Sequence, residues 1–283
     1  ERGDMDEARD IVKKIGRAAG YTVYGTHRTN ENFTVFEKPK RSGKRGKTLG
    51  DGFYVANGEH TEYDNDAYGK NRMLVMVNPG NVLDLGEGGL SEEQARQVFD
   101  EYFAPYHPNG IGEDNPYQMH VLSQLQKSYK VVDYIKEAAD NAGTTTDEVF
   151  KSLGYNSVKD GPQYAVFDSN QIKLADPVTF DDSGNPISIG ERFSEGPDIR
   201  YSTEGETTDA DAELARQYEL NQQLVRNGVI TQEELEEYQR TVAGRPLEGE
   251  TPTATTSTGQ AERQFNIKML QNSDEIDAEA KRF

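Results

Sequence analysis

Apolar residues along this chain change their spacing several times, and each change marks a change of element. Between residues 6 and 19, Ala8, Ile11, Val12, Ile15 and Ala19 recur at helical spacing, and Gly20 supplies the stop. From Tyr21 the spacing shortens. Tyr21 to Thr26 reads as a strand and Phe33 to Phe36 as a second apolar patch. Gly52 to Ala56 and Arg72 to Val77 read as buried strands, the latter ending in the turn signal Asn78-Pro79-Gly80.

The middle third is helical. Ser91 and Gln94 form a capping box ahead of Ala95, Val98, Phe99 and Tyr102, each side chain satisfying the other residue's unpaired backbone N–H. One longer helix is predicted to carry Val121, Leu122, Leu125, Val132 and Ile135 and to stop at Gly143. A shorter one runs from near Thr146 to Leu153 and stops at Gly154. Strand spacing returns at Tyr164 to Phe167 and at Ile172 to Leu174. Strands, then helices, then strands, without regular alternation, is the order of an α+β domain. Past Ser202, Asp209 to Asn227 and Gln232 to Val242 read as two helices joined through Gly228, with Thr231 and Glu234 as a second capping box. Residues 246–260 carry almost nothing apolar and read as a linker. A final helix from Ala261 to Asn272 offers Phe265, Ile267, Met269 and Leu270 and is too small to fold alone, so it is expected to pack on a partner or on a missing neighbour.

Composition narrows the function classes. A net charge of -19 over 283 residues argues against a chain built to coat nucleic acid or anionic lipid, whose charge its long-range field repels. No apolar run approaches the roughly 18 residues needed to span a bilayer, so no membrane role is expected. The count of 0 cysteines excludes disulfides, thiolate metal sites and cysteine nucleophiles, and fits a reducing cytosol. A mean hydropathy of -0.86 leads us to expect solvated or partner-dependent segments beside one packed core. His27, His60, His107 and His120 are scattered, and Asp181, Asp182 and Asn185 lack the spacing of a calcium loop, so no metal site is expected. The exception to the acidic trend is a run of six cations, Lys38, Lys40, Arg41, Lys44, Arg45 and Lys47.

Several short segments, in order, carry a resemblance. They are Val23-Tyr24-Gly25-Thr26, Phe33 to Phe36, Gly52-Phe53-Tyr54-Val55-Ala56, Val77-Asn78-Pro79 and Leu153-Gly154-Tyr155-Asn156-Ser157. The series closes with the strand Gln163 to Lys173, which ends in Asn170-Gln171-Ile172-Lys173, and with Asp198-Ile199-Arg200-Tyr201-Ser202. In this order they resemble the ADP-ribosyltransferase-like domain of phage and mobile-element polyvalent proteins, distantly similar to poly-ADP-ribose polymerase catalytic domains. The likeness covers about residues 21 to 202. It implies an ADP-ribosyltransferase-like split β-sandwich core with inserted helices and a C-terminal helical extension. The corresponding division is an N-terminal helix over 1–20, the domain over 21–205, a helical hairpin over 206–245, the linker over 246–260 and a last helix over 261–283.

The resemblance also implies chemistry. Such enzymes hold NAD bent over the split β-structure and break its nicotinamide–ribose bond through an oxocarbenium-like transition state, which a carboxylate on the last strand stabilises. Carried over by position, Tyr24, Gly25, Thr26, His27, Gly52, Phe53 and Tyr54 are the expected NAD-binding residues, with Tyr54 stacking the nicotinamide ring. Tyr54 and Gln163 are the expected catalytic pair. Two positions depart from the family: Tyr24 stands where histidine is usual, with His27 three residues on, and Gln163 stands at the catalytic glutamate. A glutamine amide still hydrogen-bonds a ribose hydroxyl but carries no charge, so turnover weaker by about 10²–10³ is expected. The cationic run is either simply solvated or a contact for the NAD pyrophosphate or a nucleic-acid acceptor.

Read this way, the chain is a mono-ADP-ribosyltransferase-like phage effector acting on a host macromolecule in the bacterial cytoplasm. The alternatives are a catalytically inactive NAD-binding or interaction module, and a packaged virion component docking a phage protein through residues 206–283.

Overall fold

In the first third, residues with strand spacing alternate apolar side chains between two directions, and a sheet that buries both faces satisfies that pattern. The computed structural model describes residues 2–31, 33–37, 48–58, 62–107, 115–182, 187–193, 196–200 and 210–243. Helix α1 spans Arg2–Ala18, followed by β1 (Val23–Thr29), β2 (Phe53–Asn57), β3 (Asn71–Val77) and β4 (Val82–Asp84). Next come α2 (Glu92–Tyr102), α3 (Pro116–Leu125), α4 (Ser128–Ala142) and α5 (Thr146–Ser152). Then follow β5 (Ser157–Asp160), β6 (Gln163–Val166), β7 (Ile172–Leu174), α6 (Ala210–Arg226) and α7 (Gln232–Ala243). Strands, helices and strands in that order make the protein α+β.

The chain forms two compact units. One comprises Gly16–Ala175 and Arg192–Glu206; the other comprises Glu1–Ile15, Asp176–Glu191 and Thr207–Phe283. The segment Asp176–Glu191, inside the expected 21–205 domain, thus falls with the terminal segments.

The first unit is built on a mixed 7-stranded sheet in the order β4-β5-β6-β2-β1-β3-β7. Its neighbours are antiparallel except β4 and β5, which run parallel. Alternation sorts the side chains. Val23, Phe53, Val55, Val75, Val77, Tyr164, Val166 and Ile172 form one core layer with Phe36 and Ile199. Ala165 and Phe167 join Val98, Phe99, Leu125, Ile135 and Phe150 from helices α2 to α5 in the other, with Tyr54 packed against it. The Ser91 capping box is formed, and Gly143 ends α4 in the left-handed conformation at φ 67°.

One expectation is corrected here. The longer helix is two, because α3 ends at Leu125 and Lys127 turns extended at φ -93°, ψ 124°. The N–H groups of Gly89 and Leu90 donate to the Gln126 and Leu125 carbonyls at 3.2 and 3.0 Å, occupying acceptors that a continuing helix would use. Phe33 to Phe36, the second apolar patch, supplies a single bridge, Val35 with Asp198. Strands β4 and β5 went unread, being short and mixed in polarity. The cationic run 38–47, the linker 246–260 and the last helix lie outside the described residues.

In the second unit, Thr231 and Glu234 form the expected capping box at the start of α7, with bonds of 3.1 and 2.7 Å. Lys14 of α1 meets Glu234 at 2.8 Å, and the Tyr238 hydroxyl donates to the Pro177 carbonyl at 2.8 Å. Asn221 of α6 accepts from the Ser188 hydroxyl and the Gly190 N–H at 2.8 and 3.0 Å. Among the described residues no helix is long and apolar enough to cross a membrane.

Candidate functional site

Strands β1 and β2 touch only briefly. Gly25 pairs with Asn57 and Thr26 with Ala56, after which β1 continues along β3 as far as Thr29 while β2 stays with β6. The close crossing requires glycine: a Cβ on Gly25 would lie 2.1 Å from the Ala56 carbonyl oxygen. Beyond it the strands part. The next residue, His27, puts its ring in place of the missing ladder bonds, with Nδ1 2.8 Å from the Tyr54 carbonyl oxygen.

At this parting lies a cavity of about 680 Å³, lined by His27, Gly52, Phe53 and Tyr54 together with Glu31, Phe33, Thr34, Val35, Phe36 and Glu37. Its size suits a small-molecule ligand. The Phe36 ring contacts those of His27, Phe33 and Phe53 at centroid distances of 4.8, 4.7 and 5.0 Å. Edge-to-face packing of this kind makes a firm apolar floor.

A carbonyl can only accept, so the short contact to Tyr54 assigns the proton of neutral His27 to Nδ1. Burial lowers the His27 pKa below its ordinary value, and the bond to the Tyr54 backbone opposes this only in part. The ring is therefore neutral at pH 7, with an unprotonated Nε2 that has no partner among the described residues.

Tyr54 has a second task. Its hydroxyl accepts from the Leu49 N–H at 2.9 Å and donates to the Gly50 carbonyl at 2.8 Å, clasping the loop that leads into β2. Burial pushes its pKa up to about 12, helped by the Asp51 charge and opposed by hydrogen bonds from Leu49 and Thr48. The same loop is tied down further on, where Thr146 Oγ1 bonds both the Asp51 N–H and its carboxylate.

Gln163, at the start of β6, pairs with Ala56 and so lies on the same face as Tyr54, two residues away along β2. Its Oε1 accepts from the Thr48 hydroxyl at 3.2 Å. Of the expected site residues, the cavity thus gathers His27, Gly52, Phe53 and Tyr54. Gly25 sits at the crossing, while Thr26 is buried and its hydroxyl has no partner among the described residues. Tyr24 lies earlier on β1, opposite Met76. Tyr24, Gly25, Thr26 and Gln163 are not among the described residues lining the cavity.

The cavity's outer wall, residues 33–37, is held by the two closing motifs. Leu174 donates to the Ile199 carbonyl at 2.7 Å and Ile199 to that of Thr34 at 2.8 Å, so Pro197 to Arg200 bridges β7 to the wall. Lys173, fully buried, fixes this bridge by donating from Nζ to the Gly196 and Asp198 carbonyls at 3.0 and 2.7 Å. The Asp198 carboxylate in turn clasps Arg200 at 2.8 Å. Gln171 accepts from the N–H groups of Phe167 and Asp168 and donates to the Asn78 carbonyl, which secures the turn before β7. Glu31 and Glu37 went unrecognised as lining residues, and nothing in their spacing signals it. The Phe33–Phe36 segment is legible as an apolar patch and as one of the ordered motifs.

No protein-family model, curated protein or solved structure matches this chain.

Proposed function

We propose that this unit is an ADP-ribosyltransferase-like domain that binds NAD where β1 and β2 part and transfers ADP-ribose slowly to a macromolecular acceptor. One observation carries the reading. Three segments far apart in sequence, β1, β2 and β6, lie side by side in the sheet, and a ligand-sized cavity opens where the first two separate. Two features suit NAD: His27 keeps an unpartnered ring nitrogen beside an aromatic floor, and Gly52 leaves the approach to β2 free of a side chain. The carboxylates of Glu31 and Glu37 favour the cationic nicotinamide end over the pyrophosphate.

Gln163 sets the rate in this reading. Its amide lies on the Tyr54 side-chain face of the sheet, outside the described cavity lining, and carries no charge to offset the positive charge that grows on the sugar as nicotinamide leaves. Restoring the anion with Gln163→Glu is expected to raise nicotinamide release by about 10²–10³. The test is calorimetric NAD binding together with release of labelled nicotinamide, for the natural chain and for Gln163→Glu. Lack of NAD binding by both proteins refutes the proposal.

A second reading, an NAD-binding module without turnover, is favoured by the Thr48 bond to Gln163 and by the engagement of both partners of the Tyr54 hydroxyl with the loop. Binding without any gain from Gln163→Glu selects it. A bacterial host cytoplasm, with a phage protein as partner of residues 206–283, completes the proposal.

A further inference from the structure

The register of the sheet decides which groups share the cavity. Thr26, Ala56 and Gln163 lie in one row across β1, β2 and β6, so their side chains leave the same face, as does that of Tyr54 two residues along β2. His27 follows Thr26 and leaves the opposite face, where Phe53 and Val55 join Phe36 in a core layer. The cavity belongs to this second face, and the Tyr54 hydroxyl, engaged with the loop before β2, takes no part in it.

The polar side chains on this face are one-sided in their chemistry. The Nδ1–H of His27 is spent on the Tyr54 carbonyl at 2.8 Å, which leaves Nε2 as a bare acceptor. Glu31 and Glu37 add two carboxylates, and neither carboxylate has a partner among the described residues. No lysine or arginine is among the described lining residues, and of their side chains only the Thr34 hydroxyl is left to donate. The remaining wall is aromatic, with Phe36 against Phe33 and Phe53 at 4.7 and 5.0 Å. Acceptors, negative charge and ring faces all favour a positive charge that carries N–H groups. A carboxylate or phosphate ligand would meet repulsion here.

We propose that this cavity binds a small organic cation, a protonated primary amine on an aromatic or alkyl body, with the body against Phe33 and Phe36 and the ammonium among His27 Nε2, Glu31 and Glu37. An ammonium brings three donors, and these three acceptor side chains match them in number. A cavity of about 680 Å³ has room for the body as well. The inference goes beyond the NAD reading and does not depend on it.

The experiment uses the full chain and three probes of one shape and different charge: 2-phenylethylamine, 2-phenylethanol and 3-phenylpropanoate. Binding is measured by calorimetry at pH 7, and the site is located by amide chemical shifts. The amine is expected to bind at least about tenfold more tightly than the alcohol, the acid more weakly than either, with shifts centred on His27 and on residues 33–37. Glu31 and Glu37 are exposed, so changing both to glutamine leaves the fold intact, which circular dichroism checks. Glu31→Gln with Glu37→Gln is expected to weaken the amine about tenfold and to leave the alcohol unchanged. Equal binding of the three probes, no amine binding at millimolar concentration, shifts confined to other regions, or undiminished amine binding by the double variant overturns the inference. A natural chain that binds the amine but not NAD upholds it and refutes the NAD reading, and one that binds NAD but not the amine does the reverse.

Discussion

Replacing Tyr54 by phenylalanine keeps the ring and deletes only the hydroxyl, so it isolates what the loop clasp contributes. Two hydrogen bonds disappear, from the Leu49 N–H and to the Gly50 carbonyl, and Leu49 is buried, so its N–H finds no water. Two ordinary bonds at about 1 kcal/mol each, plus about 1–2 kcal/mol for a stranded buried donor, give a loss of about 3–4 kcal/mol at pH 8. The raised pKa allows a second check. Folding lifts Tyr54 from its ordinary 10.0 to about 12, so the folded state holds the proton more tightly than the unfolded chain. As pH rises past 10 the unfolded tyrosine ionises first. At about 1.4 kcal/mol per pKa unit, about 3 kcal/mol is lost by pH 12. Phenylalanine has no such loss, so the deficit of Tyr54→Phe shrinks toward zero across that window. Other tyrosines titrate in both proteins and cancel in the difference. Urea denaturation followed by circular dichroism at pH 8, 10 and 11 reads it directly. A deficit under about 0.5 kcal/mol at pH 8, or one that stays constant to pH 11, refutes the clasp.

Three further outcomes are expected. Gly25→Ala forces β1 from β2 and costs about 3 kcal/mol, so a thermal melt close to that of the natural chain contradicts the crossing geometry. Lys173→Met strands the Gly196 and Asp198 carbonyls, and amide exchange at Ile199 quickens ahead of that in β3; unchanged protection at Ile199 argues against the bridge. Because the His27 pKa is lowered in the folded state, the unfolded chain takes up the proton first as pH falls below 6.5, and stability declines there. His27→Asn lacks that part of the decline, and equal losses for both proteins between pH 7 and 5 count against a buried neutral ring.

What the sequence reveals depends on where each force acts. Local chemistry is visible, so Ser91 with Gln94, Thr231 with Glu234 and the stop at Gly143 are all where spacing predicts them. Dense apolar strands such as β2 and β3 are equally plain. Strand β4, with three residues, and β5, with the charges of Lys159 and Asp160, exist through pairing with each other and, for β5, with β6, which no local pattern records. The break before Ser128 has the same origin, since Gly89 and Leu90 arrive from outside the helix. At the candidate site, motif order points to His27, Gly52, Phe53 and Tyr54, which the fold brings together. The roles of Lys173 and Asp198 are tertiary throughout: each acts on carbonyls or side chains of a segment that reaches it only after folding.

The crossing at Gly25 works as a pivot. Where any other residue carries a β-carbon, glycine has a hydrogen, and that difference lets two strands press together before they diverge. The aperture between them is therefore governed from a point lying behind the chamber rather than within it. A mutational survey confined to the chamber's inner surface would pass over this position.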